Sequence, residues 1–347
     1  MNRRNNSMLR VLHVGDLGQK QFGALYNTFE RKLVHGLIRA DFCVWEFSDK
    51  DLAKFLAPLG ISRLGVRRMM TALTRTVDNF RPDLLVLSNT RKLPNEFIAG
   101  LRSRHPSMAV ACYTCDPLFE PENLAHQQAR RQVCDALFTT TGGRQQQELA
   151  AGPGARVHYL PNPTDPAIEQ LDNSRRDDLP VDLLFCGTGE EGHPRTERIR
   201  RLRDSLPQIE FRIHGMLGTP RIRGLEYDRL LAQTRSALNI NKQEAPLYSS
   251  DRLAQLMANG ILCFIDRASE LDGLLGEDAA IWFNGDEELR ERILDVCRDD
   301  TMRRKVAASG RERYRSLFAS EAVSRYLVEA TLQLPWSRDY GWPVDPW

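Results

Sequence analysis

No run of 18 or more apolar residues occurs in this sequence, so nothing in it is expected to cross a bilayer as a helix. Charge of one sign is not in excess either. The 48 Lys and Arg residues face 46 Asp and Glu, and a net charge of +2 argues against a dedicated nucleic-acid binder. The basic start, MNRRNNSMLR, leads into an apolar piece of a few residues that His13 and Asp16 break. It is expected to be a first strand rather than a secretory leader. A full G-x-G-x-x-G is missing from both halves: one strand ends at Gly15-Asp16-Leu17-Gly18, and in the other half His193 follows Gly192. A nicotinamide-dinucleotide enzyme is therefore disfavoured. The seven cysteines are odd in number and mostly lie in apolar runs, as expected of reduced, buried thiols in a cytoplasmic protein. Cys112-Tyr-Thr-Cys115 has no second cysteine pair at metal-ligand spacing and reads as part of a buried strand.

What is present is a chain of 347 residues, 41% apolar and 27% charged, long enough for two domains. Short apolar runs alternate with amphipathic ones. Strands are expected at 9–14, 42–47, 84–87, 109–113, 136–140 and 157–160, with helices at 25–37, 66–80, 97–102 and 126–133. Pro161-Asn-Pro163-Thr-Asp165-Pro166 stops the pattern, and the polar stretch 171–180 follows it. Alternation then restarts, with strands at 181–186, 211–214, 237–240 and 262–265. Helices are expected at 195–206, 227–233, 252–258, 287–298, 302–317 and 321–334. Apolar strands alternating with helices make parallel sheets covered on both faces. The expected architecture is α/β, with two Rossmann-like doubly wound domains facing each other across a cleft: residues 1–165, a linker at 166–180, and residues 181–325. The remaining 326–347, a helix and a tail with three of the five tryptophans, is expected to pack back on the N-terminal domain. Ligands in such sheets bind outside the carboxyl ends of the strands.

Three constellations fit that edge. Gly187-Thr188-Gly189 directly follows a strand, where glycine lets a backbone approach a phosphate and a helix start offers free N–H groups. Arg195 and Arg198 share a face of the next helix, and one of them turned inward would make a phosphate clamp. In the segment Ser249-Ser250-Asp251-Arg252, one polar side chain is expected to cap the helix. Arg252, Gln255 and Asn259 then fall on one face, opposite the apolar stripe of Leu253, Leu256 and Met257. Arg252 in the first turn adds to the positive field of the helix start, which outlines a diphosphate site.

These residues resemble the GT-B glycosyltransferases of the CgeB type, close to the broader group-1 glycosyltransferases. The resemblance covers residues 181–332 and runs in the family's order. Asp182-Leu-Leu-Phe-Cys-Gly187 with Arg198-Ile-Arg-Arg-Leu202 comes first, then Phe211-Arg-Ile-His214-Gly215. Tyr227-Asp-Arg-Leu230 with Leu238-Asn239-Ile240-Asn241 follows, and Arg252-x-x-Gln255-x-x-Ala258-x-Gly260 completes the centre. Glu288-Leu289 and Arg303-Arg304 with Gly310-Arg311 close it, and Leu160-Pro-Asn-Pro163 before the linker is also similar. The first half matches only loosely, as an acceptor-binding domain does. The resemblance implies transfer of a sugar from a nucleotide sugar to a hydroxyl of a glycan, lipid-linked or protein acceptor, with no metal and no other cofactor. The donor-binding set it implies is Gly187, Thr188, Gly189, Arg198, His214, Gly215, Asn241, Ser250, Asp251, Arg252 and Gln255. Gln255 departs from the family's usual glutamate, which leaves a catalytically inactive nucleotide-sugar-binding or scaffold protein of the same fold, or an epimerase, as other readings.

An inverting transferase needs a base near the acceptor hydroxyl. Asp16 and Asp116 follow strands at the correct sheet edge and are the candidates, with Asn89 a further polar one. Asp49-Lys-Asp51 fits the metal-binding D-x-D but reads better as a helix cap. His13, His35 and His158 read as core or surface residues. The helix bearing Arg63, Arg67, Arg68 and Arg75 together with Met69, Met70 and Leu73 could rest on a membrane surface, although an ordinary basic face over a buried stripe is the favoured reading.

Overall fold

The computed structural model describes residues 8–346; Met1–Ser7 and Trp347, which belong to the basic start and the aromatic tail discussed above, lie outside the described residues. The elements run β1 (Arg10–Gly15), α1 (Phe29–Arg39), β2 (Cys43–Ser48), α2 (Asp49–Phe55), α3 (Ser62–Phe80), β3 (Leu84–Leu87), α4 (Asn95–Arg104), β4 (Ala109–Thr114), α5 (Pro121–Arg130), β5 (Ala136–Thr139), α6 (Gly143–Ala150) and β6 (Arg156–Tyr159). They continue with β7 (Val181–Cys186), α7 (Pro194–Asp204), β8 (Phe211–His214), α8 (Gly224–Leu231), β9 (Thr234–Asn239), α9 (Asp251–Ala258), β10 (Leu262–Asp266), α10 (Asp272–Leu275), β11 (Ile281–Phe283), α11 (Gly285–Arg298), α12 (Asp300–Leu317) and α13 (Ser320–Leu332).

Two compact units result. One takes in the chain to Thr140, Arg144–Pro163 and everything from Ser320 onward; the other is Thr141–Gly143 with Thr164–Ala319. The first holds a six-stranded sheet in the order β2-β1-β3-β4-β5-β6, parallel throughout. All four residues of β3 are fully buried, which is why it reads as a continuous apolar run rather than an alternating one. The second unit holds a five-stranded parallel sheet, β11-β10-β9-β7-β8. Its core joins Phe185, Leu238 and Phe264 of the strands to Ile199 and Ile293 of the helices.

In the first unit α13 packs along α1. The contact is close enough that a Cβ on Gly36 would lie 2.0 Å from the Ser320 carbonyl oxygen. Ser324 Oγ donates to the Leu33 carbonyl at 2.9 Å. Beyond α13, Trp336, Tyr340 and Trp342 gather around Tyr326, with ring centroids 5.2–5.6 Å from it, and Tyr340 donates to Glu329 at 2.6 Å.

The stretch 166–180, expected to be a linker, is built into the second unit instead. Asn173 is fully buried and donates to the carbonyls of Leu231 at 2.7 Å and Thr234 at 2.8 Å. Arg303, also fully buried, donates to Asn173's own carbonyl at 3.2 Å. The polarity that resembles a linker is used to satisfy backbone groups at element ends. The last helix starts at Ser320, so residues 320–325 belong with the first unit rather than the second.

Candidate functional site

At the carboxyl ends of β7 and β9, two arginines converge on one ring. Arg252, in the first turn of α9, lies 5.0 Å from the Phe185 centroid, and Arg195, in the first turn of α7, lies 5.8 Å from it. Arg252 donates to the Cys186 carbonyl at 2.6 Å, to Asn239 Oδ1 at 3.2 Å and to the Ile240 carbonyl at 3.3 Å. Arg195 donates to the carbonyls of Thr188 and Ile240. Neither guanidinium makes an ion pair among the described residues, and the Nε of each is buried with no partner. Burial, then the neighbouring Arg252, lowers Arg195 to about 10; burial lowers Arg252 as well, with Tyr227, Cys186, Tyr248 and Glu244 acting the other way. Two like charges held over one ring without a carboxylate are costly, and an anion between them would repay that cost.

Glycine makes the geometry fit. A Cβ on Gly187 would sit 3.0 Å from Arg252 Nη1, and one on Gly189 would sit 2.2 Å from Thr196 Oγ1. A side chain at the first would displace the guanidinium, and one at the second would push α7 off the sheet edge. His214 ends β8, its carbonyl accepting from the Gly187 N–H at 3.0 Å, and Gly215 follows at φ 89°.

Several sequence-based placements need correcting. Arg198 does not turn inward: it pairs with Asp286 and, at 3.5 Å, with Asp266, while its guanidinium covers Phe283. One turn further along α7 it is carried past the end of β7, so Arg195 is the inward arginine. Asn259 does not share a ligand face with Arg252, because its Oδ1 accepts from the Leu171 N–H at 2.9 Å and its Nδ2 donates to the Gln255 carbonyl. Ser250 occupies the N-cap position of α9 without a side-chain cap bond, and its Oγ is buried without a partner among the described residues. Asp251 accepts from Gln255 Nε2 at 3.0 Å. Asn241 grips Glu244, which accepts from its N–H at 2.9 Å and its Nδ2 at 2.8 Å. Glu244, whose carboxyl burial pushes up, was missed in the sequence, where only its place in the loop after β9 could have marked it.

A cavity of about 350 Å³ opens at the carboxyl ends of β1, β2, β3 and β4 in the first unit, lined by Asp16, Glu30, Asp49, Ser88, Asn89 and Asp116 among others. Asp16 is bridged to Lys20 at 3.1 Å and Lys50 at 3.3 Å. Exposed Asp116 accepts from Asn89 Nδ2 through one oxygen, and its other oxygen has no hydrogen bond among the described residues. Asp51, read as a cap, anchors a loop: it accepts from the N–H groups of Gln19 at 2.8 Å and Lys20 at 2.9 Å, and from Ser48. Burial works against its charge, but those bonds outweigh it and hold its carboxyl below the usual range. Asp49 is almost fully buried, and neither carboxylate oxygen meets a partner in hydrogen-bond geometry. Burial raises its pKa, opposed by the Lys50 backbone and ammonium. No group of three or more metal-type ligands occurs among the described residues. His13, bonded to Tyr113 at 3.0 Å, and His158, beside Tyr326, are core residues that burial lowers to about 4. Cys112 is buried in β4, and no disulfide links the cysteines.

Residues 195–329 match the family model described as glycosyl transferase-like. No curated protein matches the chain in sequence. Among solved structures, sucrose-phosphate synthase from Thermosynechococcus elongatus is similar at 14% identity and TM-score 0.65, over 94% of this chain and 98% of that one. HepE from Anabaena, solved in complex with UDP and glucose, is similar at 11% identity and TM-score 0.56, over 94% and 100%. A UDP-N-acetylglucosamine 2-epimerase assignment attaches to a Listeria monocytogenes structure similar at 12% identity and TM-score 0.53, over 96% and 99%. The fold is GT-B, two parallel α/β units, and the part of the chain similar to the glycosyl transferase-like family is the segment 195–329. The match is to the broader family and does not single out the CgeB type.

Proposed function

We propose that this chain is a cytoplasmic, metal-independent glycosyltransferase that takes a nucleoside-diphosphate sugar on its second unit and passes the sugar to a hydroxyl of a glycan, lipid-linked or protein acceptor. The observation that carries the reading is the pair of buried Arg195 and half-buried Arg252, held over Phe185 with no ion-pair partner among the described residues. As the bond between the sugar and the diphosphate breaks, negative charge grows on the departing phosphate oxygen. Guanidiniums already fixed at that place stabilise the charge without having to reorganise. Arg252, in the first turn of α9, acts together with the positive end of that helix. Gly187, Thr188, Gly189, Gly215 and Asn241 line the approach, and Gln255 with Asp251 serves ribose or sugar hydroxyls.

On the first unit, Asp116 takes the proton of the attacking hydroxyl. Its open oxygen and exposure favour it over Asp16, whose carboxylate is already bridged to Lys20 and Lys50. HepE's complex with UDP and glucose makes uridine donors the first to try. The test is a panel of nucleotide sugars assayed for hydrolysis and for transfer to glycan acceptors, with and without EDTA. Turnover of one donor that survives EDTA is expected. Turnover that vanishes with EDTA and returns with Mg²⁺ contradicts metal independence, and binding without any turnover favours the scaffold reading.

A further inference from the structure

The region from α2 into α3 has a composition unlike the rest of this nearly neutral chain. Residues 52–77 hold five cations, Lys54, Arg63, Arg67, Arg68 and Arg75, and no Asp or Glu. All five are exposed, and none forms an ion pair among the described residues. The same stretch carries four exposed large apolar side chains within ten residues: Phe55 at 56%, Leu59 at 98%, Ile61 at 47% and Leu64 at 38%. Leu59 is held in the left-handed region at φ 51°, which is unfavourable for a branched side chain, and burial returns nothing for it. The apolar stripe beneath the basic face turns inward, as its spacing favoured, since Met69 and Leu73 are fully buried in the first unit's core. That burial fixes the rotation of α3 and turns its arginines outward. Beside them, Leu56, Arg68, Thr71, Ala72 and Arg75 line a groove of about 470 Å³.

We propose that the Phe55–Leu64 turn and the arginine face of α3 form a docking surface for an anionic lipid bilayer. The apolar tip enters the boundary between headgroups and acyl chains while the arginines meet lipid phosphates, and the two contributions reinforce each other. Charge complementarity selects this occupant, because the patch is basic throughout while the chain as a whole carries only +2. The inference stands apart from the sugar-transfer reading and needs no activity for its test.

Flotation of the full chain with vesicles provides that test, using phosphatidylcholine alone and phosphatidylcholine mixed with phosphatidylglycerol. Binding to the mixed vesicles alone, weakened by salt, is expected. Leu59→Ser with Ile61→Ser should lower partition about tenfold or more, since partition follows buried apolar area. Removing Arg63 and Arg67 by R63Q and R67Q should lower it about fivefold per cation at low salt. All four positions are exposed, so circular dichroism should show an unchanged fold. The proposal is overturned if the wild type ignores mixed vesicles, binds both kinds equally, or is matched by both variants. It is equally overturned if size-exclusion chromatography shows a dimer that the tip variant dissolves, because a second copy would then cover the patch.

Discussion

Asp49 and Asp116 line one cavity in different settings, the first almost fully buried and the second exposed. Asp49 is buried with no partner, and its folded pKa is raised. Between the ordinary carboxylate value and that raised value, the native state holds a proton that the unfolded chain has released. Stability therefore falls as pH rises through this window, and the penalty is fully present above it. Asp49→Asn should raise the midpoint of thermal unfolding at neutral pH by about 2–4 °C and give no gain below the ordinary carboxylate range, as scanning calorimetry at two pH values would show. An equal shift at both would mean the charge is not the cause. For Asp116, asparagine keeps the shape and removes the basicity. Turnover should drop by ~10²–10⁴-fold while donor affinity holds, measured by initial rates beside nucleotide titration. Normal turnover would move the base elsewhere.

Among the elements, α1 approaches α13 closely at Gly36. Alanine gains helix propensity there but drives its Cβ against the Ser320 carbonyl, a backbone atom that cannot swing away. Gly36→Ala should cost about 1–3 kcal/mol in denaturant unfolding. A strand such as β3 was legible in the sequence because both faces are buried and the apolar run is continuous. Helices α2 and α6 were not legible. Asp49 and Asp51 read as cap residues rather than as the first turn of α2 itself, and α6 buries only Gln146 and Leu149, too little for a stripe. At three residues, β11 is too short to carry a period. The same limits govern the site. Arg252 could be placed from the helix start, whereas spacing puts Arg195 and Arg198 on one face and cannot say which of them reaches the sheet edge. Asn259 was misplaced because its partner, the Leu171 N–H, lies in a segment that polarity alone marks as a linker.

At the scale of the whole molecule, the chain builds one sheet unit, then a second, and returns at Ser320 to complete the first. The aromatic tail is part of that completion. Removing residues 333–346 would uncover Tyr326 and strip Glu329 of the Tyr340 hydroxyl. A loss of about 2–4 kcal/mol in urea unfolding is expected, comparable to truncating a buried aromatic side chain. The second unit carries the central claim, that Arg195 and Arg252 await a diphosphate. Calorimetric titration of UDP and UDP-glucose into the wild type, Arg195→Ala, Arg252→Ala and Arg198→Ala tests it most directly. Binding should weaken by about 1.5–3 kcal/mol in each of the first two variants and stay near wild type in the third, whose charge already belongs to Asp286 and Asp266. Wild-type affinity in both Arg195→Ala and Arg252→Ala, with the fold intact, would contradict the account.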